Sequence, residues 1–224
     1  MRHIQFENAD SHSIALLVKG SAFNQQELMA NYVTPLKHLG VPTKDIIAFT
    51  LKYNEVGKAP AKFIKEYLDN LLPGLDSLGV KYLLVTDANY FKTLTKQTKA
   101  DPHFGYVLPC QIKGFEHMQV ILGLNYQQLI YNPDLQAKLT MSLDTLAHAV
   151  QGTYIALGST IIHSAEYPET PQSISATLDK LHQYAELSCD IEAFSLRFNE
   201  AGVGTIAFAW DKHMELPLPV TMKT

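Results

Sequence analysis

Along the first 160 or so positions the apolar residues switch between two rhythms. Residues 13–18 form a continuous apolar run ended by Lys19-Gly20, as in a strand buried on both faces. Residues 24–38 place Leu28, Tyr32, Leu36 and Leu39 on one helical face, with Gly40 as the stop. Residues 45–51 read as the next strand. Residues 60–78 read as a long helix with Phe63, Ile64, Tyr67, Leu68, Leu71 and Leu72 facing inward, and Pro73-Gly74 as a candidate kink. Residues 80–85 predict a buried strand, 88–96 a short helix, and 106–108 and 118–124 two more strands. Residues 133–150 predict a helix with Asn132 as cap and Pro133 at its first position. Residues 161–163 are a candidate last strand. Strands alternating with helices predict an α/β architecture, a mostly parallel sheet with helices on both faces.

The texture then changes. Residues 166–171 carry two prolines and read as a linker, and residues 173–186 as an amphipathic helix using Ile174, Leu178, Leu181 and Tyr184. Strand patterns follow at 188–198, 204–210 and 215–220, joined by short turns at 199–202 and 211–213, which predicts an antiparallel meander. Three such strands do not easily build a core alone. The expected organisation is an α/β domain over residues 1–165, a linker and helix over 166–186, and the opening of a second domain over 187–224.

Composition narrows the class. The chain has 224 residues, 46% hydrophobic and 18% charged, so it is globular in type and needs no disulfide or metal staple to fold. Its formal net charge of −4 argues against a basic nucleic-acid coat, although a local basic patch stays open. Cys110 and Cys189 lack C-x-x-C spacing and read as reduced thiols. No apolar run approaches membrane-spanning length, and Met1-Arg2-His3-Ile4 does not open a signal peptide. A cytoplasmic protein with no membrane partner is the expectation.

The candidate chemistry centres on Cys189-Asp190-Ile191-Glu192-Ala193-Phe194. On a strand, residues two apart share a face, so Asp190 and Glu192 stand side by side while Cys189, Ile191 and Ala193 face a core. Adjacent carboxylates repel unless cations sit between them. Mg²⁺ or Mn²⁺ takes oxygen ligands, and a pair of such ions can clamp an in-line phosphoryl displacement. A D-x-E pattern is short and common; alone it also describes the solvated face of an edge strand.

The longer context carries a resemblance. Residues 187–196, Leu-Ser-Cys-Asp-Ile-Glu-Ala-Phe-Ser-Leu, followed by residues 201–210, Ala-Gly-Val-Gly-Thr-Ile-Ala-Phe-Ala-Trp, are similar to the first exonuclease motif of bacteriophage family A DNA polymerases, relatives of DNA polymerase I with a ribonuclease H-like, DEDD-type 3′→5′ proofreading domain. The resemblance implies that Asp190 and Glu192 are catalytic metal ligands, that Phe194 and Leu196 touch the terminal base, and that the partner is a single-stranded primer 3′ end. The family's two later acidic motifs and its polymerase motifs do not occur in these residues. The expectation is therefore half a metal site, on the N-terminal part of a polymerase or on one piece of a split one, working in the cytoplasm of an infected bacterium beside the remainder of the enzyme.

The first domain resembles the uracil-DNA glycosylase fold. The order is Leu39-Gly40-Val41, then Asp45-Ile46-Ile47-Ala48-Phe49, Pro60, a helix to Leu78-Gly79, residues 80–85, Leu122-Gly123-Leu124-Asn125-Tyr126 and Tyr131-Asn132-Pro133. The glycosylase chemistry is missing. The acid-bearing loop after strand one is replaced by residues 19–24, Lys-Gly-Ser-Ala-Phe-Asn, and the late His-Pro segment by Asn125-Tyr126. The implication is an inactive domain with the glycosylase layout.

Lysines are uneven in this part. Lys52, Lys58, Lys62 and Lys65 gather around one helix start; Lys92, Lys96 and Lys99 recur at helical spacing beside Phe91 and Lys81. Such stripes can neutralise DNA phosphates, although Glu55, Glu66 and Asp101 dilute them and a solvated helix face is the simpler reading. His103, His117 and His163 fall near predicted strand ends without zinc-ligand spacing. Asp87 and Asn89 follow a strand end, where open α/β sheets bind ligands, but a helix cap explains either. Gly202-Val203-Gly204 is too short to mark a nucleotide loop. Two further readings stay open: a non-enzymatic accessory or split subunit that binds DNA or the rest of a polymerase, and a glycosylase with unfamiliar catalytic residues.

Overall fold

A computed structural model describes residues 2–159, 164, 165, 168, 170–195, 202–211 and 214–219. The chain divides into two compact units between Leu157 and Gly158, ahead of the boundary expected at residue 165.

The first unit is built on a six-stranded mixed sheet. Its strands are β1 (His3–Gln5), β2 (Ile14–Lys19), β3 (Ile46–Leu51), β4 (Tyr82–Val85), β5 (Val107–Pro109) and β6 (Gln119–Leu122), in the order β1-β3-β2-β4-β6-β5. The four central strands are parallel, and β1 and β5 lie antiparallel on the two edges. Side-chain alternation divides the central strands between two cores. Ala15, Leu17, Ile47, Phe49, Leu83, Val85, Val120 and Leu122 face one core, which also holds side chains of helices α3 (Ala61–Ser77) and α4 (Ala88–Thr95). Ile14, Leu16, Val18, Ile46, Ala48, Leu84 and Ile121 face the other, which holds α1 (Gln25–Leu28), α2 (Thr34–His38) and α5 (Gln136–Val150). A strand covered on both sides has no polar face, which is why residues 13–18 read as an unbroken apolar run.

The expected helix over 24–38 is one helical path with an interruption. Asn24 caps it, its Oδ1 accepting from the N–H groups of Gln26 at 2.9 Å and Glu27 at 3.2 Å. A π turn, Met29–Val33, separates α1 from α2. Pro35 follows it directly, and a proline has no N–H for the carbonyl four residues back and crowds it. Gly40, at φ +87°, ends the path, with Val41 N–H donating to the Leu36 carbonyl at 2.9 Å. α3 runs through Pro73 to Ser77 because that proline lies on the exposed face. The last helix starts as a 3-10 turn, Pro133–Leu135, capped by Asn132 as expected, before α5.

The second unit contains β7 (Ser164–Ala165), α6 (Pro171–Leu181), β8 (Ser188–Ala193), β9 (Val203–Asp211) and β10 (Met214–Pro219), with sheet order β7-β10-β9-β8. β8, β9 and β10 form the antiparallel meander the sequence predicts; β7 adds a short parallel strand to the far edge. α6 opens with a reciprocal cap: Ser173 N–H donates to Thr170 Oγ1 at 3.1 Å, and Thr170 N–H to Ser173 Oγ at 3.0 Å. It ends at Leu181, short of the predicted residue 186, and Tyr184 instead stacks on Trp210 at 5.1 Å between ring centroids. A small core of Leu181, Leu216 and Leu218 is flanked by Ile174, Phe208 and Trp210. The candidate strand at 161–163, linker residues 166, 167 and 169, residues 196–201 with Leu196, and the 212–213 turn lie outside the described residues.

Candidate functional site

Asp190 and Glu192 stand where the D-x-E spacing puts them, on one face of β8. The register sets Asp190 opposite Ala207 and Glu192 opposite Thr205, with Pro217 of β10 opposite Ala207 beyond. The carboxylates therefore project over small neighbours. Two residues along a strand span about 7 Å between Cα atoms. Both are exposed, and among the described residues neither reaches a cation at ion-pair distance. Among those residues no cluster of three or more His, Cys, Asp or Glu forms a ready metal cage. The pair suits a hard divalent cation that takes its remaining oxygens from water or from groups elsewhere.

One part of the expectation needs correction. Cys189 and Ile191 share the sheet face of Leu216 and Leu218 through their pairing with Phe208 and Ile206, yet they are not buried. Ile191 is 54% exposed, and Cys189 and Ala193 are exposed as well. β8 is the edge strand, and the small core is centred on β10 and α6, two strands away. A bulge between Glu192 and Ala193 further shifts the end of the strand. Phe194, at 70% exposure, lies across the β9 glycines. A Cβ on Gly204 would come within 3.1 Å of its Cζ and one on Gly202 within 3.3 Å of its Cδ2. The Gly202-Val203-Gly204 string thus seats an aromatic ring. The ring's other face is open.

The lysine stripe at 92, 96 and 99 is broken. α4 ends at Thr95, Lys96 takes a left-handed conformation at φ +57°, and Lys99 lies beyond the helix. Lys92 is half-buried. Lys62 and Lys65 are exposed on the first turns of α3, with Lys52 and Lys58 just ahead of it. His103 packs between the rings of Phe91 and Tyr106, and His117 pairs with Asp76 at 2.8 Å, so both serve structure; His163 lies outside the described residues. Asp87 is the cap of α4, accepting from Asn89 and Tyr90 N–H at 2.8 and 3.0 Å. Lys81 is exposed just ahead of β4.

The carboxyl ends of β3, β2, β4 and β6 lie along one edge, the edge at which open α/β sheets bind ligands. The chain leaves β2 and β4 to opposite faces, which makes their carboxyl ends the topological switch point of the sheet. The loops at residues 20–24 and 124–128 are brought together here and close on one another. Ser21 Oγ donates to Gln127 Oε1 at 3.2 Å, and Gln127 Nε2 returns to the Ser21 carbonyl at 3.0 Å. Tyr126 Oη donates to the Ala22 carbonyl at 3.2 Å. Tyr32 Oη donates to the Leu124 carbonyl at 2.7 Å and accepts from Tyr126 N–H at 3.0 Å. Residues 19–24 bring no carboxylate to this stitched edge.

Beside it lies a tyrosine cluster. Tyr53 Oη donates to Asp87 Oδ2 at 2.7 Å, Tyr90 Oη to the Lys52 carbonyl at 2.5 Å, and Tyr67 Oη to the Thr50 carbonyl. Burial pushes the Tyr67 phenol up to about 12, and burial also raises Tyr32, Tyr53 and Tyr90, with Asp87 adding to the rise at Tyr53. These hydroxyls stay protonated donors near neutral pH and do not act as bases. Lys19 Nζ sits 5.0 Å from the Tyr53 ring centre. On the flank of α3, Lys52, Phe63, Glu66, Tyr67 and Asn70 line a cavity of about 290 Å³. Phe63, expected to face inward, is instead half-buried at the edge of the α3 core stripe, with exposed Asn70 beside it in the cavity wall. A larger cavity of about 670 Å³ lies on the outer side of α5, with Met141, Ile155 and Leu157 in its wall.

No protein-family model matches the chain, and no curated protein matches it significantly. Among the described residues no helix is long and apolar enough to cross a membrane.

Proposed function

We propose that the chain is the N-terminal region of a bacteriophage family A DNA polymerase. In this reading an α/β unit of uracil-DNA glycosylase-like layout, without base-excision chemistry, precedes the opening strands of a ribonuclease H-like 3′→5′ exonuclease. One observation carries it: Asp190 and Glu192 project from the same exposed face of the first strand of an antiparallel meander, with Cys189 and Ile191 on the opposite, apolar side. Mg²⁺ or Mn²⁺ bound there would supply water activation and stabilise the leaving 3′ oxygen during removal of a mismatched nucleotide. Asp190 and Glu192 hold half of that site, and Phe194 offers its open ring face to the terminal base. The first unit supports the reading through its parallel central strands. The mutual closure of the loops at residues 20–24 and 124–128 argues against base excision.

The test uses the complete gene product. Asp190→Ala should lower 3′→5′ degradation of a mismatched primer by well over about a hundredfold, since even the outer partners of a metal ligand are worth roughly ten- to a hundredfold. Polymerisation should be spared. Retained proofreading in that variant sinks the metal-ligand assignment. So would a reading frame past Thr224 without the two later acidic motifs, whether in this gene or an adjacent one. A second reading, a non-enzymatic accessory or split subunit, draws on the exposure of β8. An open strand edge beside Ile191 can accept a strand from another chain.

A further inference from the structure

The cavity beside α3 has an unusual lining. Lys52 and Glu66 both face it, yet they form no ion pair with each other or with any described residue. Its wall is aromatic: Phe63 is half-buried, and Tyr67 is buried with its hydroxyl already spent on the Thr50 carbonyl. Asn70 gives one amide hydrogen to the Glu66 carbonyl at 2.7 Å and keeps its other hydrogen and its oxygen. The cavity thus offers a free ammonium, a free carboxylate, a free amide and a ring face in about 290 Å³, near the lower limit of small-ligand pockets and on the scale of one nucleotide.

Those four groups match the parts of a nucleotide. An ammonium takes phosphate. A ring face takes an unstacked base. A carboxylate accepts from an exocyclic amino group, as carboxylates do from cytosine N4; thymine carries a carbonyl at that position, which repels the carboxylate and leaves only its ring N3–H as a donor. Lys58, Lys62 and Lys65 extend the positive charge past the cavity, and among the described residues none of them is ion-paired. α3, which follows Pro60, also starts without a side-chain cap and without an acid in its first turn, so its positive end faces outward without a local carboxylate. Glu55, Glu66 and Asp69 are the opposing charges nearby in sequence. One phosphate does not need four lysines, and a strand of several phosphates does.

We infer that the Lys52–Phe63–Glu66–Asn70 cavity seats one base of single-stranded DNA, preferring amino-bearing bases over thymine, while Lys58, Lys62 and Lys65 hold the phosphates on either side. This site is separate from the β8 carboxylates and needs no metal. Its test is run in EDTA on the Asp190→Asn, Glu192→Gln background, so that its failure leaves the exonuclease reading untouched, and failure of that reading leaves this one standing.

Fluorescence anisotropy with a labelled dC 12-mer should show binding at low salt that weakens as salt rises. A dT 12-mer should bind several-fold more weakly, and Glu66→Gln should erase most of that difference. Phe63→Leu, a nearly volume-conserving change, should weaken dC binding about tenfold, within the roughly 1–3 kcal/mol that a stacked base contributes. Lys52→Gln should reduce the slope of log affinity against log salt by roughly 0.7. Lys37→Gln, on α2 over the opposite face of the sheet, should change neither affinity nor base preference, and unchanged melting curves show that the variants fold. No binding of the dC strand at 50 mM salt overturns the inference. Equal affinity for dC and dT, or equal losses from Lys37→Gln and Lys52→Gln, would do so too. Competition by free dCMP at the strand's own affinity would replace the strand with a mononucleotide and overturn the assignment.

Discussion

The two sheets of this protein meet water in opposite ways. In the first unit, β2 and β4 are covered on both faces and bordered on both edges, and their apolar residues are almost wholly inaccessible. In the second, β8 is an edge strand exposed along its whole length, and the core among the described residues is three buried leucines with their neighbours. Charge divides the same way: residues 1–157 carry 14 basic and 13 acidic side chains, residues 158–224 carry 4 and 9. The first sheet has spent its surface on stability. The second keeps an acidic, open face, which is where chemistry with cations, or pairing with another strand, has room to occur.

Core truncation should break the symmetry between the sheets most sharply. Leu84 is fully buried in the middle of the first sheet, and Leu84→Ala should cost about 3 kcal/mol, the transfer loss plus a cavity that close packing cannot fill. Ile191 has the same aliphatic character, but Ile191→Ala should change stability by no more than about 0.5 kcal/mol, as at other exposed positions. Urea unfolding followed by circular dichroism measures both. A cost above about 1.5 kcal/mol at Ile191 would mean that β8 is covered in solution, and the contrast between the sheets would fall.

Alkali should act on the first unit. Tyr67 moves from an ordinary 10.0 to about 12 in the folded state because burial disfavours its phenolate, and the other buried phenols shift the same way. A raised folded value means that the stability from these neutral hydroxyls is intact below pH 10 and is lost as pH rises from about 10 towards 12, where the unfolded chain ionises first. Circular dichroism melts between pH 8 and 12 should show a steep fall only above 10. A melting temperature flat through pH 12 would contradict the buried donor roles at the ends of β3 and β6.

What the sequence discloses differs between the units for a physical reason. Periodicity reports burial, so residues 13–18 and 80–85 announced strands and Gly40 announced a stop. Asn24, Asn132 and Asp87 sit at helix starts because their side chains answer local backbone donors, a relation within three residues. The register of β8 follows from the alternation alone, so Asp190 and Glu192 were legible as a pair. Sheet position was not: nothing in Cys189-Asp190-Ile191 says whether a further strand covers it. Long-range polar contacts were equally silent. His12 is 1% exposed because its Nδ1 donates to the Lys44 carbonyl, 32 residues on, at 2.8 Å. The Ser21–Gln127 exchange joins residues 106 apart in the chain. The cavity beside α3 needs Lys52 and Asn70 at once, one from the nine-residue loop after β3 and one from α3, and that loop hides the meeting.

The smallest expected effect is also the most selective between the units. Thr170→Ala removes the side-chain acceptor of the Ser173 N–H at the start of α6, a loss of about 1 kcal/mol for a helix cap. Asn24→Ala removes the equivalent acceptor at the start of α1 and should cost a similar amount. The two costs fall on different reserves. The chain has a single tryptophan, Trp210, stacked on Tyr184 beside the small core that α6 closes, so its fluorescence reports the second unit alone. Circular dichroism is dominated by the helices of the first. With so few buried leucines to lose, Thr170→Ala should bring the fluorescence midpoint in urea down while leaving most of the dichroism transition in place. Asn24→Ala should do the reverse. If each variant shifts both signals together, the units unfold as one cooperative body, and the separate reserves assigned to the two sheets are wrong.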